Sequence, residues 1–415
     1  MTEKPFHFSK TFLQERCDFC GRCFNECPAL ELPLEQAQNE IKNLVERGDS
    51  EILNRCVGCM ACNSICPTDS NPHTLILNSW GKRYSKTGLP SRAKLVLPYQ
   101  KPNLYSLMQE RLPEDEQALT RVWEENYRNP PKAETMVYAG CNLILQPFLV
   151  GDRIFKGIPI FGSADLCCGE PLYRSGCWDA AKAAAAHVKR EFSRLGFRRV
   201  ITPCPAGWHL FSHVYPEVLD APLDCEIVSL EQWILERIER GELTLSPLGK
   251  RAVIHDNCWP KASGSAMFDA MRRLLQKLGV EVIDPEHTRD RALCCGMCAG
   301  AARFKMQDIL AVAKKRLAEL DKVEADFIVD YCGGCNWLLA LADVFSLRKI
   351  RKPLFHLLEV VRMATGEKVE QKVHKRAALI ASTMKGPLAK SYLSRKREWI
   401  TEIARVEIQR EQSKG

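Results

Sequence analysis

The chain has 415 residues, of which 46% are hydrophobic and 27% charged, and a formal net charge of +8. That composition is ordinary for a globular protein, and the length suits two or three domains with their own cores. It excludes a membrane-spanning helix. No run of 18 apolar residues occurs, and the best short stretch, Leu338–Phe345, contains Asp343.

The start, Met1-Thr2-Glu3-Lys4-Pro5, has no apolar stretch behind a basic one, so no signal peptide is read there. Twenty cysteines in such a chain then suggest a reducing, anaerobic cytoplasm. Seventeen of them fall into four patterned groups. Cys17, Cys20, Cys23 and Cys27 form C-x2-C-x2-C-x3-C before Pro28, and Cys56, Cys59, Cys62 and Cys66 repeat it before Pro67. A [4Fe–4S] cube needs four converging thiolates, and in two-cluster ferredoxins the last cysteine of each run reaches across to the other cube. One cube then takes Cys17, Cys20, Cys23 and Cys66, and the other Cys56, Cys59, Cys62 and Cys27. Zinc sites favour paired C-x2-C knuckles, and disulfide frameworks belong to small secreted chains, so both alternatives fit poorly.

Between the motifs Leu34 to Arg47 reads as a helix stopped by Gly48. Residues 1–90 are thus a helical, ferredoxin-like unit with two clusters. Recurrent prolines mark 91–134 as a connector, with a helical piece near Glu114–Trp123. Two α/β units follow, at 135–245 and 246–362. Short strands Met136–Ala139 and Ala252–His255 run into Cys141 and Cys258; Val200-Ile201 and Ile328-Val329 run into Cys204 and Cys332. Helices are expected at Asp179–Leu195, Met267–Leu278 and Arg303–Leu320. The expected architecture is therefore α+β and multidomain, with repeated parallel-sheet units whose cysteines lie just after strands, at the edge where ligands bind.

The second unit carries Cys258, Cys294-Cys295-Gly296 and Cys332-x2-Cys335; the first carries Cys141, Cys167-Cys168-Gly169 and Cys204. This layout resembles the CCG domains of heterodisulfide reductase. Two ferredoxin motifs before two CCG units resemble the fused D-type subunit of that enzyme. They are also similar to iron–sulfur subunits of anaerobic glycerol-3-phosphate dehydrogenase, glycolate oxidase and lactate-utilisation systems. The resemblance spans roughly residues 10–362. It implies a non-cubane [4Fe–4S] cluster on Cys258, Cys294, Cys295, Cys332 and Cys335, the catalytic set. In the first unit Gly207 stands where the fifth cysteine belongs, so Cys141, Cys167, Cys168 and Cys204 are left for zinc or an ordinary cluster. The family's His-Asp-Pro-Cys-His here reads His255-Asp256-Asn257-Cys258-Trp259: one histidine is kept and one lost. His255 is either a proton donor to a thiolate or a strand-end histidine satisfied by backbone.

Of the remaining cysteines, Cys298 is an additional redox thiol or a small apolar residue, and Cys177 and Cys225 follow no pattern. Trp208 and Trp337 either shield clusters from water or fill core. From Arg362 onward thirteen lysines and arginines face six acids, so 363–415 reads as a basic helical tail. Within it Leu388–Ile408 is amphipathic, suited to an acidic partner, an anionic membrane surface or plain solvent. Neither G-x-G-x-x-G nor G-x-x-x-x-G-K-[ST] is present, and nothing but charge suggests nucleic acid. Clusters move single electrons, so a flavoprotein subunit is the expected two-electron converter. Two functions follow. In one, an iron–sulfur subunit relays electrons through two cubes to a disulfide-reducing centre. In the other, a relay without a substrate of its own joins a flavoprotein dehydrogenase to a quinone or a membrane cytochrome b. The expected location is cytoplasmic, or peripheral on the inner face of the cell membrane.

Overall fold

The structure is a computed structural model that describes residues 11–95, 97, 102–151, 153–262, 266–297 and 306–398. It is a mixed fold of helices and parallel sheets. Cys298 and residues 399–415 of the expected C-terminal helix lie outside the described residues.

The N-terminal part is helical. Helix Leu34–Arg47 ends at Gly48, which takes the left-handed conformation at φ 68°, the C-terminal stop glycine provides most easily. Each cysteine motif folds the same way. Phe19 and Gly21 in the first motif, and Gly58 and Met60 in the second, have positive φ. Short helices Arg22–Asn25 and Ala61–Ile65 begin directly after. Two left-handed residues flanking the second cysteine curl each loop around its thiols.

Two four-stranded sheets follow, all parallel. The first runs in the order Ile160–Phe161, Thr135–Tyr138, Arg199–Thr202, Glu226–Ser229; the second Val280–Ile283, Lys250–Ile254, Phe327–Asp330, Leu354–His356. In each, the spatial order is second, first, third, fourth. The strands anticipated from sequence are the two central ones of each sheet. Their outer neighbours are too short or too mixed in character to announce themselves. Helices Trp178–Leu195, Ala266–Lys277 and Met306–Lys322 fall within a few residues of the expected spans, and Glu114–Arg128 extends past its expected end. That helix is less a connector than a cover, packing on Ile160–Phe161.

Helix Gly333–Val344 is buried from Gly333 to Asp343, which explains the longest apolar run. It lies between helices Met306–Lys322 and Val373–Lys385, and a helix covered on all sides is apolar on all sides. Within the described part of the basic tail, helix Val373–Lys385 buries one face in the core, held by the buried Arg376–Glu116 pair. The continuous helix expected from Leu388 onward is corrected too. Helix Ala389–Leu393 stops at extended Ser394. Arg397 and Glu398 instead pair antiparallel with Pro90 and Leu89, and Lys396 accepts a hydrogen bond from the Ser91 amide. Pairing with a strand end from the N-terminal part outcompetes helical periodicity there.

The N-terminal part docks on both sheet units. Helix Pro72–Thr87 meets the first through paired glycines. A Cβ on Gly81 would stand 2.2 Å from the Gly176 carbonyl oxygen, and one on Gly176 would stand 1.9 Å from that of Leu77. Trp178 donates to Asn78 at 2.9 Å nearby. Arg291–Glu26 and Lys315–Glu31 ion pairs, at 2.6 and 3.2 Å, tie it to the second.

Candidate iron–sulfur and thiol site

The described cysteines form no disulfides. In the N-terminal part the structure sets Cys66 near Cys17, Cys20 and Cys23, and Cys27 near Cys56 and Cys59. Burial raises Cys17, Cys20 and Cys23, and Cys66 is a charge neighbour of all three. Cys27 is pushed up to about 12 by burial and then by Cys59 and Cys56. The Gly58 amide donates to Cys56 Sγ at 3.2 Å and the Ser70 amide to Cys66 Sγ at 3.4 Å. Crowded buried thiols are costly to ionise one beside another; a bound cation or cluster removes that cost by taking the thiolates as ligands. The donor set therefore fits two cubes.

All strands of each sheet being parallel, their carboxyl ends lie along one edge, and both CCG-type cysteine sets sit there. In the second, Cys335 Sγ is 3.2 Å from Cys295 Sγ. Cys294 Sγ accepts from the Gly296 amide at 3.3 Å. Cys332 caps helix Gly333–Val344, so its thiol and that of Cys335 stand at the positive end of the helix dipole. Its strand-end position is fixed by Asp330, which accepts from the Cys332 amide and from Asn336 Nδ2. The Cys332 thiol is held well below its ordinary value, chiefly by a hydrogen bond from Cys204 and then one from Cys335. Cys295 is held low first by Cys294, then by Cys335 and His255.

A His255 ring nitrogen and the thiols of Cys295 and Cys335 lie within 4.8 Å of one another. The fully buried Arg316 donates from Nε to His255 Nδ1 at 3.0 Å. An arginine carries no acceptor, so Nδ1 must accept and the ring proton sits on Nε2. That nitrogen is buried and makes no hydrogen bond among the described residues. His255 thus carries a buried N–H close to two thiols. What the sequence does not show is its partner at Nδ1, a side chain 61 residues on and not backbone. Asp256 is structural, held low despite burial by Arg272, with the Arg289 amide adding to it.

The first set adjoins the second. Cys141 and Cys168 are each raised first by a hydrogen bond with Cys167. Cys204, however, is raised first by its bond with Cys332 of the other set. The two edges face each other. Gln146 donates to the Gly333 carbonyl at 2.9 Å and Trp337 Nε1 to Asn142 Oδ1 at 3.1 Å. A Cβ on Gly207 would lie 2.9 Å from Thr202 Cγ2, a β-branched side chain with little room to turn. Space as well as sequence opposes a fifth cysteine there.

Sequence reasoning missed two charged residues between the sets. Arg174, 2% exposed, donates to Cys258 Sγ at 3.2 Å and to the Gly58 carbonyl. Glu170 pairs with it at 3.3 Å and is pushed up to about 7, by burial first and by Cys258, Cys167 and Cys332. Only the position of Glu170, two residues past Cys168, could have signalled it. Trp259, standing where the family's second histidine belongs, lies under the Arg174 guanidinium at 4.2 Å. Trp208 packs on His209 and His213, and His209 on Trp259, so this aromatic group walls the Cys258 side. Cys177 and Cys225 are raised by burial to about 12 and about 11, as inert core thiols are. Among the described residues no helix is long and apolar enough to cross a membrane.

Comparison with known proteins agrees with this arrangement. The 4Fe-4S dicluster domain family matches residues 10–68, and the cysteine-rich CCG domain family matches residues 152–206 and 252–340. The D-type subunit of the dihydromethanophenazine:CoB–CoM heterodisulfide reductase of Methanosarcina mazei is 21% identical over 351 residues, covering 80% of this chain and 82% of that protein. The EtfAB:quinone oxidoreductase of Syntrophomonas wolfei is 24% identical over 224 residues, 50% of this chain and 31% of that one. Lactate utilization protein A 2 of Bacillus cereus is 24% identical over 212 residues, 48% of this chain and 84% of that one. The chain carries a 4Fe-4S dicluster domain joined to cysteine-rich domains of the CCG type, and it is a homologue of the D-type subunit of heterodisulfide reductase.

Proposed function

We propose that this chain is an iron–sulfur electron-transfer subunit in which two N-terminal cubes pass single electrons to a disulfide-reducing centre, or the reverse. That centre is a non-cubane [4Fe–4S] cluster on Cys258, Cys294, Cys295, Cys332 and Cys335, and when bound it supplies one-electron chemistry at sulfur. Four of the five thiols, Cys294, Cys295, Cys335 and Cys332, adjoin one another at one sheet edge beside the His255 ring, and this observation carries the reading. The domain division is that read from sequence, at 1–90, 91–134, 135–245, 246–362 and 363–415, and the shared strand order of the two sheets supports an internal repeat.

Each residue then has a task. The five cysteines hold the group, and the dipole of helix Gly333–Val344 favours two of them as thiolates. His255 directs its Nε2 proton at the sulfurs, where a departing thiolate needs it. Cys204 lies beside Cys332, so the first set adjoins the second. Cys141, Cys167 and Cys168, with Cys204, hold zinc or an ordinary cluster. The names of the quinone oxidoreductase and lactate-utilisation relatives favour a second reading, in which the chain relays electrons between a flavoprotein and a quinone-linked or cytochrome b partner. The chain then works in the cytoplasm or on the inner face of the membrane.

The test is spectroscopic. Oxidising the reduced, reconstituted chain with a thiol–disulfide substrate should give a paramagnetic signal that broadens with iron-57. Cys294→Ser should remove it and spare the N-terminal signals. Full disulfide-reductase activity in Cys294→Ser would defeat the catalytic assignment. A wild type inert to every disulfide but reduced by a flavoprotein would favour the relay.

A further inference from the structure

We propose that Arg174 is a bridging residue: it holds the Cys258 thiolate and couples the second CCG set to the Cys56–Cys59 loop of the nearer N-terminal cube. The inference rests on the reading above. Gly58 lies inside that loop, and its amide donates to Cys56 Sγ at 3.2 Å. Its carbonyl accepts from Arg174 Nη1, and Arg174 Nη2 donates to Cys258 Sγ at 3.2 Å. One guanidinium and two peptide-group hydrogen bonds therefore connect a sulfur of one set to a sulfur of the other. The remaining guanidinium contacts fix it in place. Glu170 pairs with Nε at 3.3 Å, and Trp259 lies against the cation at 4.2 Å. Helix Ala61–Ile65 also packs against the Trp259–Ala262 turn, so the second motif abuts the CCG edge on the Cys258 side.

Two consequences follow from the chemistry of arginine. It always carries charge, and its planar fork can donate in two directions at once. Buried beside Cys258, that charge stabilises the more negative, reduced state of whatever the five thiols hold, and raises its potential. The fork also shortens the path between the sets to hydrogen bonds. What passes is one electron: the N-terminal side is oxidised by one and the second set reduced by one, with no bond made and no proton released. An external one-electron donor, dithionite in the test, supplies it. This assigns a role to the first CCG half despite its missing ligand: it contributes the residue that connects the other two parts.

The experiment compares the full, reconstituted wild-type chain with Arg174→Lys and Arg174→Met. Electron paramagnetic resonance reads the potential of the oxidised second-set signal by redox titration, and its rate of loss, once dithionite is added to the oxidised chain, by rapid freezing. Arg174→Met should shift the potential downward and slow the loss of the signal by about 10–100-fold, the usual scale for losing an outer-shell partner. Arg174→Lys should keep a potential close to wild type while remaining slow, because one ammonium cannot span both acceptors. The N-terminal signals should be unchanged in both. Loss of second-set iron in Arg174→Met but not Arg174→Lys would also support the assignment. Equal potentials in the two variants, wild-type kinetics in Arg174→Met, or loss of all signals in both would overturn it. A wild type with no second-set signal would overturn the underlying reading and this inference with it.

Discussion

Replacing Arg316 by methionine tests the proton assignment at the site. The side chain is fully buried and makes four bonds. Nε donates to His255 Nδ1 at 3.0 Å, Nη1 to the His287 carbonyl and to Glu319 at 2.8 Å each, and Nη2 to the Ile254 carbonyl at 3.4 Å. Methionine approximates its length, so no large cavity forms. It leaves four acceptors without this donor, two of them, His255 Nδ1 and the Ile254 carbonyl, in buried bonds whose loss is worth about 1–3 kcal/mol each. Glu319 keeps His287 at 3.1 Å, which softens the loss of its cation. Breaking a buried charged pair typically costs about 3–5 kcal/mol, and the same range is expected here, out of a total stability of about 5–15 kcal/mol. The assay is urea unfolding of the reduced chain under anaerobic conditions, with nitrogen-15 spectra of the His255 ring. Wild type should show the proton on Nε2, and Arg316→Met a mixture of tautomers. A stability loss below about 1 kcal/mol, or a wild-type proton on Nδ1, would refute the reasoning.

Restoring the missing fifth cysteine should fail by itself. Gly207→Cys should destabilise by about 1–3 kcal/mol, because its Cβ meets Thr202 Cγ2 at 2.9 Å; adding Thr202→Ser, which removes that methyl, should recover most of it in the same unfolding assay. Cys20→Ser and Cys66→Ser should each cost the iron of one cube, and the double variant no more than either, since the two thiols neighbour each other; additive iron loss would exclude the crossed grouping. Glu359 is buried and pushed up to about 7 by that burial, with Oε1 lacking a hydrogen-bond partner among the described residues. Its folded pKa lies above the unfolded value of about 4.3, so the folded chain holds the proton more tightly. That stabilisation is full below about pH 4.3 and lost as pH rises through about 7, on the order of 3 kcal/mol in all. Glu359→Gln should flatten stability across that window, and an unchanged slope would exclude a raised Glu359.

Much of this is legible in the sequence where the signal is local. Helix Leu34–Arg47 and its glycine stop follow from periodicity and one left-handed residue. The cysteines after the central strands follow from apolar runs ending in thiols. What is not legible depends on residues far apart in the chain. Arg174 reaches Gly58 and Cys258 across 116 and 84 positions, and no spacing rule links them. Cys204 reads as one of four ligands in its own set, because sequence cannot tell that two sheet edges face each other. The Leu388–Ile408 helix misleads for the same reason: its amphipathic pattern is real, but a short strand pairing with Leu89-Pro90 ends it.

The glycine pair at Gly81 and Gly176 bears on how fast electrons can move. Where domains swing on linkers, transfer waits for a productive encounter, and the rate falls as the solvent is thickened. Here a helix of the N-terminal part and a turn of the first sheet unit touch backbone to backbone, closer than any side chain would allow. There is no hinge in that contact to open. The separation between the nearer four-cysteine motif and the CCG edge is therefore set during folding, and the transfer rate should be indifferent to glycerol or sucrose in the buffer. Speed in this chain is a matter of fixed distance and driving force, not of collision.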